Sequence, residues 1–112
     1  MDQERRSKRA AGDYDTHLAR ARELIREGHV SSAEEHVAHA IHADRSRPDA
    51  YNLAGVVALL RGDRPAAQRQ WRIALTHDPA YHPARRNLSV SIRVPSPDEP
   101  LDLGMGDPTK AA

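Results

Sequence analysis

The chain has 112 residues, a formal net charge of +1 at pH 7 and no cysteine. These limits leave room for one domain and exclude disulfides, thiolate chemistry and a global electrostatic attraction for nucleic acid or an anionic membrane. Only 4% of the residues are aromatic and none is Phe, so Ala, Leu, Ile and Val must build the core, which suits closely packed helices better than a sheet.

Residues 1–12 are polar, with Arg5, Arg6, Lys8 and Arg9 clustered, and read as a disordered basic N-terminal arm that frays into the first helix. No secretory h-region is visible there. The longest apolar run, Leu53 to Leu60, falls well short of the roughly 18 residues that span a bilayer. A cytoplasmic location is therefore expected, without nucleic-acid or membrane partners.

Five helices are predicted over residues 13–94. The first covers about 13–27, where Leu18, Ala21, Leu24 and Ile25 share a face and Gly28 supplies a left-handed stop. The second covers about 32–44. Ser31 with Glu34, or Ser32 with Glu35, offers a capping box, and Ala33, Val37, Ala40 and Ile41 form one apolar stripe. The third covers about 48–61, from Pro48 in its first turn to Gly62. The fourth covers about 64–77, with Asp63 as its N-cap and Ala67, Trp71, Ala74 and Leu75 repeating the second helix's stripe. The fifth lies between Pro83 and Pro95, over about 83–94. Residues 95–112 hold half of the eight prolines and an acidic cluster of Asp98, Glu99, Asp102 and Asp107, and are expected to be a disordered, Pro-rich acidic tail. Leu101 and Leu103 lie among those acids.

The helices repeat at a spacing of 34 residues. Gly28 matches Gly62, Ala33 matches Ala67, Val37 matches Trp71, Ala40 matches Ala74, Ile41 matches Leu75 and Asp44 matches Asp78. A partial third copy continues the register through His17, Tyr51 and Arg85, and through Ala21, Gly55 and Ser89. A fixed period of this length marks a stacked repeat architecture, in which each hairpin depends on its neighbour for burial.

On these residues the chain resembles the tetratricopeptide repeats, as a small bacterial-type member. The second repeat reads Tyr51-x2-Ala54-Gly55-x2-Ala58, then Ala67-x3-Trp71, Ala74-Leu75 and Asp78-Pro79. The first is degenerate: His17-x2-Arg20-Ala21-x2-Leu24, then Ala33-x3-Val37 and Ala40-Ile41. The resemblance implies an all-α, α-α superhelix of two helix-turn-helix repeats, about 14–47 and about 48–81, plus a C-terminal capping helix at about 83–94. Small residues such as Gly55, Ala67 and Ala74 would let the paired helices cross closely, and Trp71 would fill the space beneath the first helix of the next repeat.

The resemblance further implies a concave groove lined by the first helix of each repeat. By register, Arg22 and Arg26 from the first repeat, Asn52, Leu53, Val56 and Leu60 from the second, and Arg86 and Asn87 from the fifth helix would line it. An apolar floor flanked by basic groups suits a peptide with an apolar centre and acidic character. Two readings of Leu53, Val56 and Leu60 stand side by side: groove floor, or positions buried by the curvature of a short array or by a second subunit. The acidic tail has the character such a groove accepts, although its composition favours a solvated segment.

For chemistry, His36, His39 and His42 recur at i, i+3 and i+6, and His36 with His39 is the weak candidate for a metal pair. No HExxH, GxSxG or phosphate-cradling loop accompanies them. The expectation is a non-catalytic protein–protein interaction module without cofactor or metal. The alternatives are a self-assembling scaffold unit (a homo-oligomer) and a small chaperone of the secretion type.

Overall fold

The computed structural model describes residues 2–92 and 101–104. Five helices run in order: α1, Asp2–Arg26; α2, Val30–Ala43; α3, Pro48–Leu60; α4, Arg64–His77; and α5, His82–Ile92. Among the described residues there is no strand. The all-α reading therefore holds, with each predicted helix found near its predicted place. The N-terminal segment is a correction: residues 2–12, expected as a disordered arm, continue α1 as helix.

The 34-residue period is written into the backbone hydrogen bonds. At the end of α1, His29 N donates to Leu24 O at 2.8 Å and Gly28 N to Ile25 O at 3.1 Å, with Gly28 at φ 83°. At the end of α3, Asp63 N donates to Ala58 O and Gly62 N to Leu59 O, both at 2.9 Å, with Gly62 at φ 84°. Both ends are Schellman stops in which glycine takes the left-handed position that costs other residues most. The ends of α2 and α4 match in the same way. Asp44 N donates to Ala40 O and Asp78 N to Ala74 O, both at 3.0 Å. The side chain of each aspartate then accepts from the backbone two residues on, Ser46 N at 2.9 Å and Ala80 N at 3.0 Å.

The helix starts differ. Asp63 caps α4 as expected, accepting from Ala66 N at 3.0 Å. The capping box expected for α2 does not form. That helix begins two residues earlier than predicted, at Val30, with His29 at the N-cap and no side-chain cap bond. Ser31 instead accepts from Arg61 Nη2 at 3.4 Å, and Arg61 Nε lies 3.0 Å from Glu34 Oε2, which ties α3's end to α2's start.

Helices α1 and α2 pack as one hairpin and α3 and α4 as a second, while α3 also touches α1 and α5. Helices α1, α3 and α5 thus form a row, with α2 and α4 behind it. The core runs along the row: Tyr14, Leu18, Ala21, Val37, Ala40, Ala50, Leu53, Val56, Ala67, Trp71, Ala74 and Ala84 are buried in one cluster. Trp71 is fully buried over Gly55, and its Nε1 donates to Asn52 O at 3.1 Å. Tyr14, which the sequence reading did not single out, is also fully buried, and its hydroxyl accepts from Ala50 N at 2.9 Å in the first turn of α3.

Candidate functional site

Asn52 and Asn87 are polar side chains that folding has taken wholly out of water, both at 0% exposure. Burial of an amide is tolerated only where its donors and acceptors are paired. Asn52 projects from the second turn of α3 and Asn87 from the middle of α5. They meet directly, Asn87 Nδ2 donating to Asn52 Oδ1 at 2.9 Å. Their remaining capacity goes to the backbone of one residue of the segment 101–104. Asn52 Nδ2 and Asn87 Nδ2 donate to Asp102 O at 2.9 and 2.7 Å, and Asp102 N donates to Asn87 Oδ1 at 2.7 Å.

Helix α1 closes the other side. Arg22 Nε donates to Leu103 O at 2.9 Å, and its Nη2 lies 3.9 Å from Asp49 Oδ2. Tyr81, just before α5, donates to the same Asp49 oxygen at 3.4 Å. Burial pushes the Tyr81 hydroxyl up from its ordinary value, and the negative charge of Asp49 pushes it the same way, so it stays protonated and able to donate. All three helices of the row therefore contribute: Arg22 from α1, Asp49 and Asn52 from α3, Asn87 from α5.

The segment seated there is Leu101-Asp102-Leu103-Gly104. Leu103 is 8% exposed and joins the main core cluster, with Leu101 packed against it. The Asp102 carboxylate accepts from Gly104 N at 3.0 Å, a local turn that bends the segment. Gly104 has φ 90°, and a Cβ there would lie 3.0 Å from the Tyr81 hydroxyl and 3.1 Å from Arg22 Nη2. The left-handed backbone angle favours glycine, and a Cβ there would push on the tips of Tyr81 and Arg22.

This arrangement corrects the expectation of a wholly disordered tail over 95–112: residues 101–104 are ordered against the helices. Residues 95–100 and 105–112 lie outside the described residues. Composition pointed toward a solvated segment because proline and acid dominate it. The deciding features are two leucines at alternate positions and a glycine, too few to move an average over the whole segment.

Of the eight residues expected to line the groove, Arg22, Asn52 and Asn87 touch the segment directly. Leu53 and Val56 are buried, at 0% and 1% exposure, in the core cluster that Leu103 joins. Leu60 is 50% exposed at the end of α3, and Arg26 and Arg86 are exposed. Asp49 and Tyr81 were not anticipated. Their signal was faint: an acid in α3's first turn reads as a favourable helix-end charge, and Tyr81 sits in a loop between two prolines.

On the other side of the row, an apolar cleft of about 520 Å³ separates α2 from α4 and is floored by α3. Val37, Ile41, Ala54, Val57 and Ala58 line it, with Glu34, Arg61 and Asp63 at its polar edge.

The histidines form a cluster between α1 and α2. His17 and His36 share a hydrogen bond between their Nδ1 atoms at 2.9 Å, and the His17 and His39 rings stack at 4.9 Å. Partial burial lowers the His36 pKa, and the positive charges of His17, Arg20 and His39 lower it further. That bond occupies one ring nitrogen on each of His17 and His36 and leaves both Nε2 atoms outside it. Among the described residues no group of three His, Cys, Asp or Glu side chains is placed to hold a metal ion. Nor is any described helix long and apolar enough to cross a membrane.

No family model, curated protein or solved structure matches the chain.

Proposed function

We propose that the chain is a non-catalytic peptide-binding module of tetratricopeptide type, which holds an extended segment of a protein partner along the row α1, α3 and α5. One observation carries this reading: two buried asparagines on different helices pair with both the N–H and the C=O of a single residue of the chain segment seated against them. Side-chain amides so placed reproduce the hydrogen bonds of a neighbouring strand, and main-chain bonds of that kind give peptide affinity while side-chain pockets give specificity. The matching Schellman stops and aspartate turns at 34-residue spacing support the repeat assignment. Selection of a random peptide display library on the whole chain tests the reading. Enrichment that is lost in an Asn87→Ala variant that still folds supports it. Peptides enriched equally on both proteins reject it.

The open cleft between α2 and α4 favours a second reading, self-assembly. Its apolar lining, together with Leu60 at 50% and Ile73 at 38% exposure, offers area for a second copy. Light scattering over a concentration series separates the two, because a strict monomer rules out assembly through that cleft.

A further inference from the structure

We propose that residues 101–104 are an intramolecular stand-in for the partner, so that the groove's external ligand is a peptide of the pattern Leu-Asp-Leu-Gly and must displace this segment to bind. The proposal rests on the peptide-binding reading above and names the ligand class and its regulation.

The contacts divide into two kinds. Those to Asp102 N, Asp102 O and Leu103 O involve only the main chain of the segment, and any extended peptide could make them. The side chains then set the sequence. Leu103 inserts into the core cluster that also holds Leu53 and Val56, so that position takes a large aliphatic group. Gly104 is left-handed, with a Cβ only tightly fitted between the ends of Tyr81 and Arg22, so the next position favours glycine. The Asp102 carboxylate accepts the Gly104 N–H, so a short side chain with an acceptor oxygen belongs before the leucine. Leu101 packs on the rim of the same cluster.

Polar geometry argues for an exchangeable occupant rather than a fixed piece of core. The segment carries no helix of its own and is held by the burial of Leu103 together with side chain–main chain bonds from Arg22, Asn52 and Asn87. A groove meant only to be filled would be lined with apolar side chains, which need no hydrogen-bond partners, whereas two buried amides bind an incoming backbone and can be rehydrated when it leaves. An attached segment competes at the high effective concentration that its tether imposes, which lowers the apparent affinity for a free peptide.

The experiment uses the full chain and a fluorescein-labelled peptide of sequence DEPLDLGMGD, identical to residues 98–107. Anisotropy is measured with the wild type, with a Leu103→Asp/Gly104→Ala variant, and with that variant carrying Asn87→Ala as well. Circular dichroism melts are recorded with and without unlabelled peptide. The double variant should bind the peptide at least tenfold more tightly than the wild type, and adding Asn87→Ala should remove most of that binding. A peptide with the Leu103→Asp change should not bind. If the double variant is unfolded alone, restoration of a cooperative melt by the peptide supports the proposal equally, since the segment then works in trans. Equal affinity for wild type and double variant overturns it. So does a folded double variant that ignores the peptide, or an unfolded one that the peptide does not rescue. A library selection that returns Asn87-dependent peptides of unrelated sequence would overturn this ligand class and leave the peptide-binding reading intact.

Discussion

The indole of Trp71 lies so close to the backbone of Gly55 that a Cβ built on Gly55 would come within 2.6 Å of Trp71 Cδ1 and Cε2. The crossing of α3 and α4 is thus set by one missing methyl group. The same indole donates to the backbone carbonyl of Asn52, one helical turn earlier in α3, so the residue that fixes the hairpin also touches the backbone that carries a buried asparagine.

Gly55→Ala should destabilise the fold in spite of improved helix propensity. Replacing a mid-helix glycine with alanine recovers about 1 kcal/mol, whereas forcing a methyl into a filled site costs about 1–3 kcal/mol. The obstructing ring is fully buried and cannot swing away. Urea melts of Gly55→Ala, Trp71→Leu and the double variant check the cause. The double variant should be more stable than the sum of the single effects, because the smaller side chain at 71 makes room for the methyl.

Trp71→Ala removes the largest fully buried side chain and leaves a cavity at the crossing of α3 and α4. A loss of about 3–5 kcal/mol is expected, comparable with the whole stability of a domain this small. Chemical denaturation followed by circular dichroism should show a protein partly unfolded without denaturant. A mild shift in midpoint would mean that the indole is not what holds α4 on α3.

Much of this fold was legible because the helix boundaries are marked by residues with one dominant use. Gly28 and Gly62 stop helices, Asp63 caps one, and Pro48 and Pro65 begin them. Legibility failed where local chemistry offered two outcomes. Ser31 and Ser32 can cap a helix, but α2 starts before them because the chain leaves Gly28 already in its Schellman turn. Residues 2–12 are charged, which reads equally as solvated arm or solvated helix, and the helix-forming tendency of Glu, Arg, Lys and Ala carries α1 back to Asp2. Asn52 and Asn87 were placed in the groove by register alone. What they bind there could not be read, since the pairing joins residues 35 and 15 positions away from their partners in sequence.

Tyr14→Phe isolates a single buried hydrogen bond. The hydroxyl accepts from Ala50 N, and the ring lies under the Arg47 guanidinium at 4.2 Å. Phenylalanine keeps the ring contacts and leaves the Ala50 N–H buried without its acceptor, so a loss of about 1–3 kcal/mol is expected. The same burial pushes the Tyr14 pKa up to about 12, against the weaker opposing effect of the bond from Ala50. Because the folded state keeps this proton longer than the unfolded chain, its contribution is full below pH 10 and is lost as pH rises toward 12. Melting temperature should therefore fall over that interval, and less steeply in Tyr14→Phe.

Acid acts through the histidine cluster. The lowered His36 pKa means that the folded protein binds this proton less readily than the unfolded chain does. Between the lowered value and 6.5 the unfolded state carries more protons, so stability falls as pH drops through that window and is regained above it. Melts between pH 7.5 and 5.5 should show a decline that is smaller in His36→Gln, where the site no longer titrates. An identical slope in both proteins would place the acid sensitivity elsewhere.

Asn87→Ala should release segment 101–104 while leaving the helices assembled. The substitution deletes two bonds to Asp102 and one to Asn52. If the segment stayed, the Asp102 N–H would lack a partner and Asn52 Oδ1 would lose its donor, at a cost of about 1–3 kcal/mol for each buried group. Departure lets water satisfy them all and frees the backbone of residues 101–104, worth about 1–2 kcal/mol per residue. It gives up the burial of Leu103, about 1.5–3 kcal/mol for a fully buried leucine, the packing of Leu101, and the bonds from Arg22 and Asn52, about 0.5–1.5 kcal/mol each. The regained chain freedom tips the balance to departure. Amide hydrogen exchange reads the result at single residues: the Asp102 amide should lose its protection, while amides in the middle of α1, α2, α3 and α4 keep theirs. Loss of protection throughout would instead make the segment a structural strut of the fold. Retained protection at Asp102 would mean that Arg22 and Asn52 hold the segment without Asn87.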